Sequence, residues 1–176
     1  MKLKMKIVLY LLLVLYFTSC NTYLDSNVLG NKISNSYISI EYFENYNFLI
    51  NKDKVGAASD NQISYPQLFN IKIPKKIKNI KIIDKVFCIE YSSKQFILID
   101  AGFINNEIKL ENWKLIDPDK KVIDSYYKNY LEIKRINQNK RVYKIYTDGN
   151  TKILLMNIKT DNFENYFTLI KSFKYE

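Results

Sequence analysis

The chain reads as an α+β domain dominated by antiparallel β-structure. Three observations predict this: repeated stretches in which apolar and polar residues alternate, turn-forming residues between them, and one helical stripe of apolar residues near the C-terminus. Successive hairpins with a C-terminal amphipathic helix, and room for a second helix, account for residues 37–176 as a single globular domain.

The first strand is Tyr37 to Phe43, where Ile38, Ile40 and Tyr42 share one side and Ser39 and Glu41 the other. Glu44-Asn45 turns it into a second strand at Tyr46–Asn51. Residues 52–62 are small and polar, with Gly56, Ala57, Ala58, Ser59 and Asp60, and read as a surface loop. Leu68 to Ile73 is the next strand; Pro74 ends it by removing a ladder donor. Ile77 to Ile83 is a lysine-decorated strand. Lys85–Tyr91 and Gln95–Ala101 then form a hairpin around Ser92-Ser93-Lys94. Phe96 and Leu98 point one way and Ile97 and Ile99 the other, so this arm is central and covered on both faces.

Trp113 to Ile116 is a strand closed by Asp117-Pro118-Asp119-Lys120, where Asp followed by Pro is type I turn chemistry. Val122-Ile123 returns from that turn. Residues 124–138 suit a helix through Tyr126, Tyr130 and Ile133 at i, i+4 and i+7, although Leu131, Ile133 and Arg135 also allow a strand; the helix is the reading adopted. Arg141–Thr147 and Thr151–Ile158 pair around Asp148-Gly149-Asn150. The last element is a helix from Asn162 to Phe173, with Asp161 and Glu164 spaced as a capping box. Its stripe of Phe163, Tyr166, Phe167, Ile170 and Phe173 packs on the sheet, because so short a helix is marginal alone.

The N-terminal segment differs from all of this. Lys2, Lys4 and Lys6 precede a nearly unbroken apolar run from Ile7 to Phe17, which ends in Thr18-Ser19-Cys20. A basic head, an apolar stretch of about 7–15 residues and a small residue before the cut make a secretory signal. The run is too short for a spanning helix, which needs about 20 apolar residues. Phe17-Thr18-Ser19-Cys20 resembles the lipobox of bacterial lipoproteins, with phenylalanine where leucine is usual. The resemblance implies a signal peptide over 1–19, acylation of Cys20 and a lipidated tether over 20–36. Two or three acyl chains hold where one holds only reversibly. Asn21, in place of Asp, favours the outer membrane.

Setting the signal aside leaves 157 of the 176 residues, and the net charge of +9 falls to +6 with the loss of three lysines. The lysines alternate with isoleucines, as in Ile71-Lys72-Ile73 and Ile80-Lys81-Ile82, and do not form an arginine-rich patch. That is a solvated strand face discouraging edge pairing, and no nucleic acid is expected as partner. The chain has no histidine, which excludes Ser-His and Cys-His catalysis and histidine-ligated metals. Its two cysteines and four dispersed glycines support neither a metal cluster nor a phosphate-cradling loop, so no cofactor or metal is expected. With Cys20 acylated, Cys88 has no disulfide partner and reads as a buried apolar residue.

Carboxylates remain. Asp100 and Asp117, both at strand ends, are the pair for a glycosidase-like site, although Asp is also a common turn residue there. Asp117-Pro118-Asp119 lacks the further oxygens that calcium needs. Tyr126, Tyr127, Tyr130, Tyr143 and Tyr146, with Trp113, are candidates for stacking on a glycan; tyrosine is equally a residue of half-buried strands. Phe87-Cys88-Ile89-Glu90-Tyr91, Gln95-Phe96-Ile97-Leu98 and Trp113-Lys114-Leu115-Ile116-Asp117, with Lys121-Val122, are similar to segments of small bacterial lipoproteins of uncharacterised function over residues 37–136. That resemblance implies no catalytic residues. The expectation is a non-enzymatic, lipid-anchored envelope protein that binds another protein or a glycan. The alternatives are an immunity-type lipoprotein against a periplasmic toxin and a small carboxylate-dependent envelope hydrolase.

Overall fold

Two antiparallel sheets and two helices build the domain in a computed structural model that describes residues 23–25, 32–34, 38–52, 57–59, 62–64, 68–84, 86–101, 112–131 and 139–176. In chain order, β1 is Lys32–Ser34, β2 Ile38–Tyr42, β3 Asn47–Asn51, β4 Ala57–Ser59, β5 Gln62–Ser64 and β6 Phe69–Ile73. They are followed by β7 (Ile77–Ile83), β8 (Val86–Tyr91), β9 (Gln95–Asp100) and β10 (Lys114–Ile116). Helix α1 (Lys120–Tyr126) continues into a π-helical turn, Tyr127–Leu131. The chain closes with β11 (Arg141–Thr147), β12 (Lys152–Lys159), helix α2 (Thr160–Ile170) and β13 (Lys174–Tyr175).

One sheet has the order β1-β2-β3-β6-β13 and the other β10-β11-β12-β9-β8-β7, while β4 and β5 pair with each other. The β8–β9 arm lies inside the six-stranded sheet. Its residues divide as alternation requires: Phe87, Ile89, Tyr91, Ile97 and Ile99 enter one core, and Val86, Cys88, Phe96 and Leu98 the other. The first core is filled from across by Leu49, Phe69, Ile71 and Ile73 of the five-stranded sheet and by Tyr166, Ile170 and Phe173 at the end of the chain. Phe69 meets Phe87 edge-on and stacks on Phe173, with ring centroids 5.2 and 5.1 Å apart. Among the described residues the second core is capped by Ile123 and Tyr127, with Tyr126, Tyr130, Leu131 and Tyr143 at its border. Strand β7 forms the sheet's edge, and its Lys78 and Lys81 are exposed.

Several elements differ from the sequence reading. Val122-Ile123 lies in α1 and not in a strand. The apolar stripe begins earlier than Tyr126: Ile123, Tyr127 and Tyr130 follow helical spacing, and the Ile123 amide donates to the Asp119 carbonyl at 3.1 Å. Helical structure then reaches Leu131; residues 132–138 of the expected helix lie outside the described residues. The surface loop at 52–62 contributes to a ribbon in which Ser59 pairs with Gln62 and Ala58 with Ile63, since a backbone ladder needs no large side chains. Helix α2 starts two residues early, directly from β12, and its capping residue is Lys159 with no side-chain cap. Asp161 therefore sits in the first turn, where its charge favours the helix N-terminus without forming the capping box.

Of the tether expected over 20–36, only residues 23–25 and 32–34 are among the described residues. Lys32–Ser34 pairs with β2, and Tyr23–Asp25 docks on the domain. Asn157 breaks the β11–β12 register with φ of 55°, a left-handed value suited to asparagine. Its side chain bridges the Lys94 carbonyl, which accepts from Nδ2 at 2.7 Å, and the Tyr143 hydroxyl, which donates to Oδ1 at 3.3 Å.

Candidate functional site

Cys20 lies outside the described residues, so the site is built from the chain that follows it. Asp25 is a carboxylate with only 5% of its surface exposed, and it holds both sheets at once. Its Oδ1 accepts from the Ile77 amide at 3.0 Å. Its Oδ2 accepts from the Lys76 amide at 2.7 Å and from Asn47 Nδ2 at 2.8 Å. One residue earlier, the Leu24 amide donates to the Ile77 carbonyl at 2.7 Å. Buried carboxylates survive only with such donors around them. The negative charge is felt nearby: it contributes, after burial, to raising the Tyr42 phenol, and after burial and Tyr166 to raising Tyr91. This clamp fixes where the N-terminal arm meets the fold.

Lys76 adopts a positive φ of 66° in the turn between β6 and β7, which aims successive amides at one anion. Pro74 ends β6 as the sequence predicts, and its carbonyl accepts a long 3.4 Å bond from Asn47 Nδ2. Asn47, Pro74, Lys76 and Ile77 are thus the receiver for an arm that precedes them by more than twenty residues.

The chain's other cysteine is among the described residues. Cys88 is free and buried under α1, where Sγ donates a weak bond to the Val86 carbonyl at 3.8 Å. Burial pushes this thiol up to about 11, with Lys81 opposing in part. A thiol so placed is neither nucleophile nor acyl acceptor near neutral pH.

The structure does not bring Asp100 and Asp117 together. Strands β12 and β11 stand between β9 and β10. At about 4.8 Å per strand the two chains are ~14 Å apart, beyond the ~5–10 Å between carboxyls in glycoside cleavage. Each acid has another partner. Asp100 accepts from the Tyr126 hydroxyl at 3.2 Å, and Asp117, with a side chain 82% exposed, accepts from Lys144 Nζ at 2.7 Å. Among the described residues no three acidic or thiol groups gather as a metal site.

The aromatic group is likewise divided. Tyr126, Tyr127, Tyr130 and Tyr143 border the core under α1. Tyr146 stacks on Trp113 at 4.5 Å beside the other core, and Trp113 leans on Phe173. The rings are half-buried except for the buried Tyr127, and they form no single platform. Burial and the neighbouring Asp100 raise the Tyr126 phenol, which marks it as a neutral boundary donor to that carboxylate.

Asp25 is the residue that sequence reasoning missed. It stands in a polar stretch with no periodicity, and its partners lie 22, 51 and 52 positions away. Gln95 escaped for the same reason: its Oε1 accepts from the Lys159 amide at 2.9 Å and from Asn162 Nδ2 at 3.0 Å, which seats the start of α2. In comparison with known proteins, no family model, curated protein or solved structure significantly matches the chain.

Proposed function

We propose that the protein is a bacterial lipoprotein, acylated at Cys20 and held at the cell envelope, whose domain serves a non-enzymatic binding or structural role. The observation that carries this reading is the contrast between the two thiols. Cys20 closes a basic-then-apolar segment ending in small residues, whereas Cys88 is sealed in the core with its thiol raised to about 11. Only one sulfur is therefore suited to accept a lipid. The separation of Asp100 and Asp117 weighs against a two-carboxylate hydrolase.

The test is metabolic labelling of the full chain with a fatty acid, followed by membrane fractionation. The wild type is expected to carry label and to stay with membranes through a salt wash, and Cys20→Ala to lose the label. Equal labelling of both chains, or none in the wild type, ends the reading.

A further inference from the structure

Two exposed apolar side chains and several lysines lie at the end of the domain that receives the arm. In the five-stranded sheet, Tyr42 pairs with Asn47 and Asn47 with Ile73 at this end. In the six-stranded sheet, Ile77 pairs with Tyr91, Tyr91 with Gln95, and Arg141 with Lys159. The turns after Tyr42, Ile73 and Tyr91 therefore share one rim with Asp25.

Leu24 (46% exposed) and Phe43 (40% exposed) project from this rim. Phe43 stacks on Tyr46 at 4.9 Å, and Lys72 Nζ lies 4.6 Å from the Tyr46 ring centre. Lys76, Lys140 and Lys159 are exposed here and Lys75 is half-exposed, while Lys94 is joined to Glu90 at 3.0 Å. Among the described residues, Glu44 and Asp161 are exposed acids at this rim. At the opposite end Asp84, Asp100, Asp148 and Glu176 are interspersed with Lys52, Lys152 and Lys174, so the charges there are mixed.

Chain length determines how far this rim can lie from the lipid. Five peptide units separate Cys20 from Asp25, and a fully extended chain covers at most about 3.6 Å per residue, so the Asp25 backbone lies within ~18 Å of the Cys20 backbone. Cationic side chains around apolar and aromatic tips are the composition of surfaces that lie on anionic bilayers. We propose that this rim rests on the anionic headgroups of the membrane that holds Cys20, with Leu24 and Phe43 entering the interface and the lysines matching its charge. The proposal deepens the lipoprotein reading and rests on acylation of Cys20.

The experiment uses the full, acylated chain in vesicles of phosphatidylglycerol and phosphatidylcholine. A fluorophore is attached at Phe43→Cys, or at Lys152→Cys on the opposite end; buried Cys88 does not compete for the label. Quenching by nitroxide lipids is expected to be strong at position 43 and weak at 152. Adding Lys75→Glu and Lys140→Glu is expected to lower the docked fraction by at least about tenfold, given roughly fivefold per surface charge. Equal quenching at both positions, or quenching at 43 indifferent to charge reversal and to removal of phosphatidylglycerol, overturns the proposal. Fatty-acid label on the same preparation separates this failure from that of the anchor: label without differential quenching refutes the rim alone, and absent label refutes both.

Discussion

The two faces of the six-stranded sheet are built from alternate residues of the same strands, yet they are covered in unlike ways. One face meets a second sheet and the end of the chain, and its core is made of isoleucines, phenylalanines and deeply buried tyrosines. Among the described residues the other face is covered by one short helix and a π turn, and it admits Cys88, Met156 and a border of tyrosine hydroxyls. The hydroxyls show what thin cover demands. Tyr126 donates to Asp100, and the Tyr127 and Tyr143 hydroxyls are 3.4 Å apart, so phenols turn their polar ends to partners at the border of this core. The sheet-covered face is therefore expected to carry global stability, and the helix-covered face to open locally.

The strongest way to test that division is Phe69→Ala, which empties the ring stack between both sheets and Phe173. A loss of about 3–5 kcal/mol in chemical denaturation is expected. A loss under about 1 kcal/mol would refute the assignment of global stability to this face. Next, Asp25→Ala leaves two backbone amides and the Asn47 amide without their acceptor. It should lower stability by about 3 kcal/mol, as hydrogen bonds to a charged group contribute ~1.5–3 each and do not add in full. Ile123→Ala is the matching test on the thin face. It should remove about 2 kcal/mol, and hydrogen exchange should show protection lost over residues 120–131 first, with β8 and β9 still protected. Simultaneous loss in the strands would show that the two faces are one cooperative unit.

Two smaller effects refine the picture. The Cys88 thiol is raised from 9.0 to about 11, so the folded state keeps a proton that the unfolded chain has released. Stability is thus complete below pH 9.0 and falls as pH rises towards about 11, and Cys88→Ala should flatten denaturation midpoints across that window. The raised phenols of Tyr91, Tyr126 and Tyr166 act in the same direction above about pH 10 in either chain. An unchanged slope would show that Cys88 does not report on the thin face. Last, Asp117→Ala removes an exposed ion pair and should change stability by no more than about 0.5 kcal/mol. A larger loss would mean that β10 is held through this contact.

Local periodicity explains what could be read without coordinates. Alternation in Val86–Tyr91 and Gln95–Asp100 is enough to place a doubly covered central arm, and the stripe from Phe163 to Phe173 is enough to place a packed helix. Val122-Ile123 misleads because two adjacent apolar residues suit a strand or a helix equally, and the deciding partners, Tyr127 and Tyr130, lie beyond them. The missing capping box has a tertiary cause: β12 runs unbroken into α2, and Gln95, 64 positions earlier, takes the Lys159 amide. Asp100 and Asp117 can be placed at strand ends from sequence, but the insertion of β12 and β11 between them is a matter of sheet order. Asp25 carries no local signal at all, because every donor that keeps it buried comes from elsewhere in the chain.

The pairing of β13 with β6 has a consequence for how the chain must be made. Lys174 lies opposite Asn70 and Tyr175 opposite Phe69, while Asn70 Nδ2 donates to Glu176 across 106 positions. Until those late residues join the fold, the chain carries an open strand edge backed by Phe69, Ile71 and Ile73. A chain cut short after α2 lacks the residues that cover this edge and is expected to aggregate more readily than the full one.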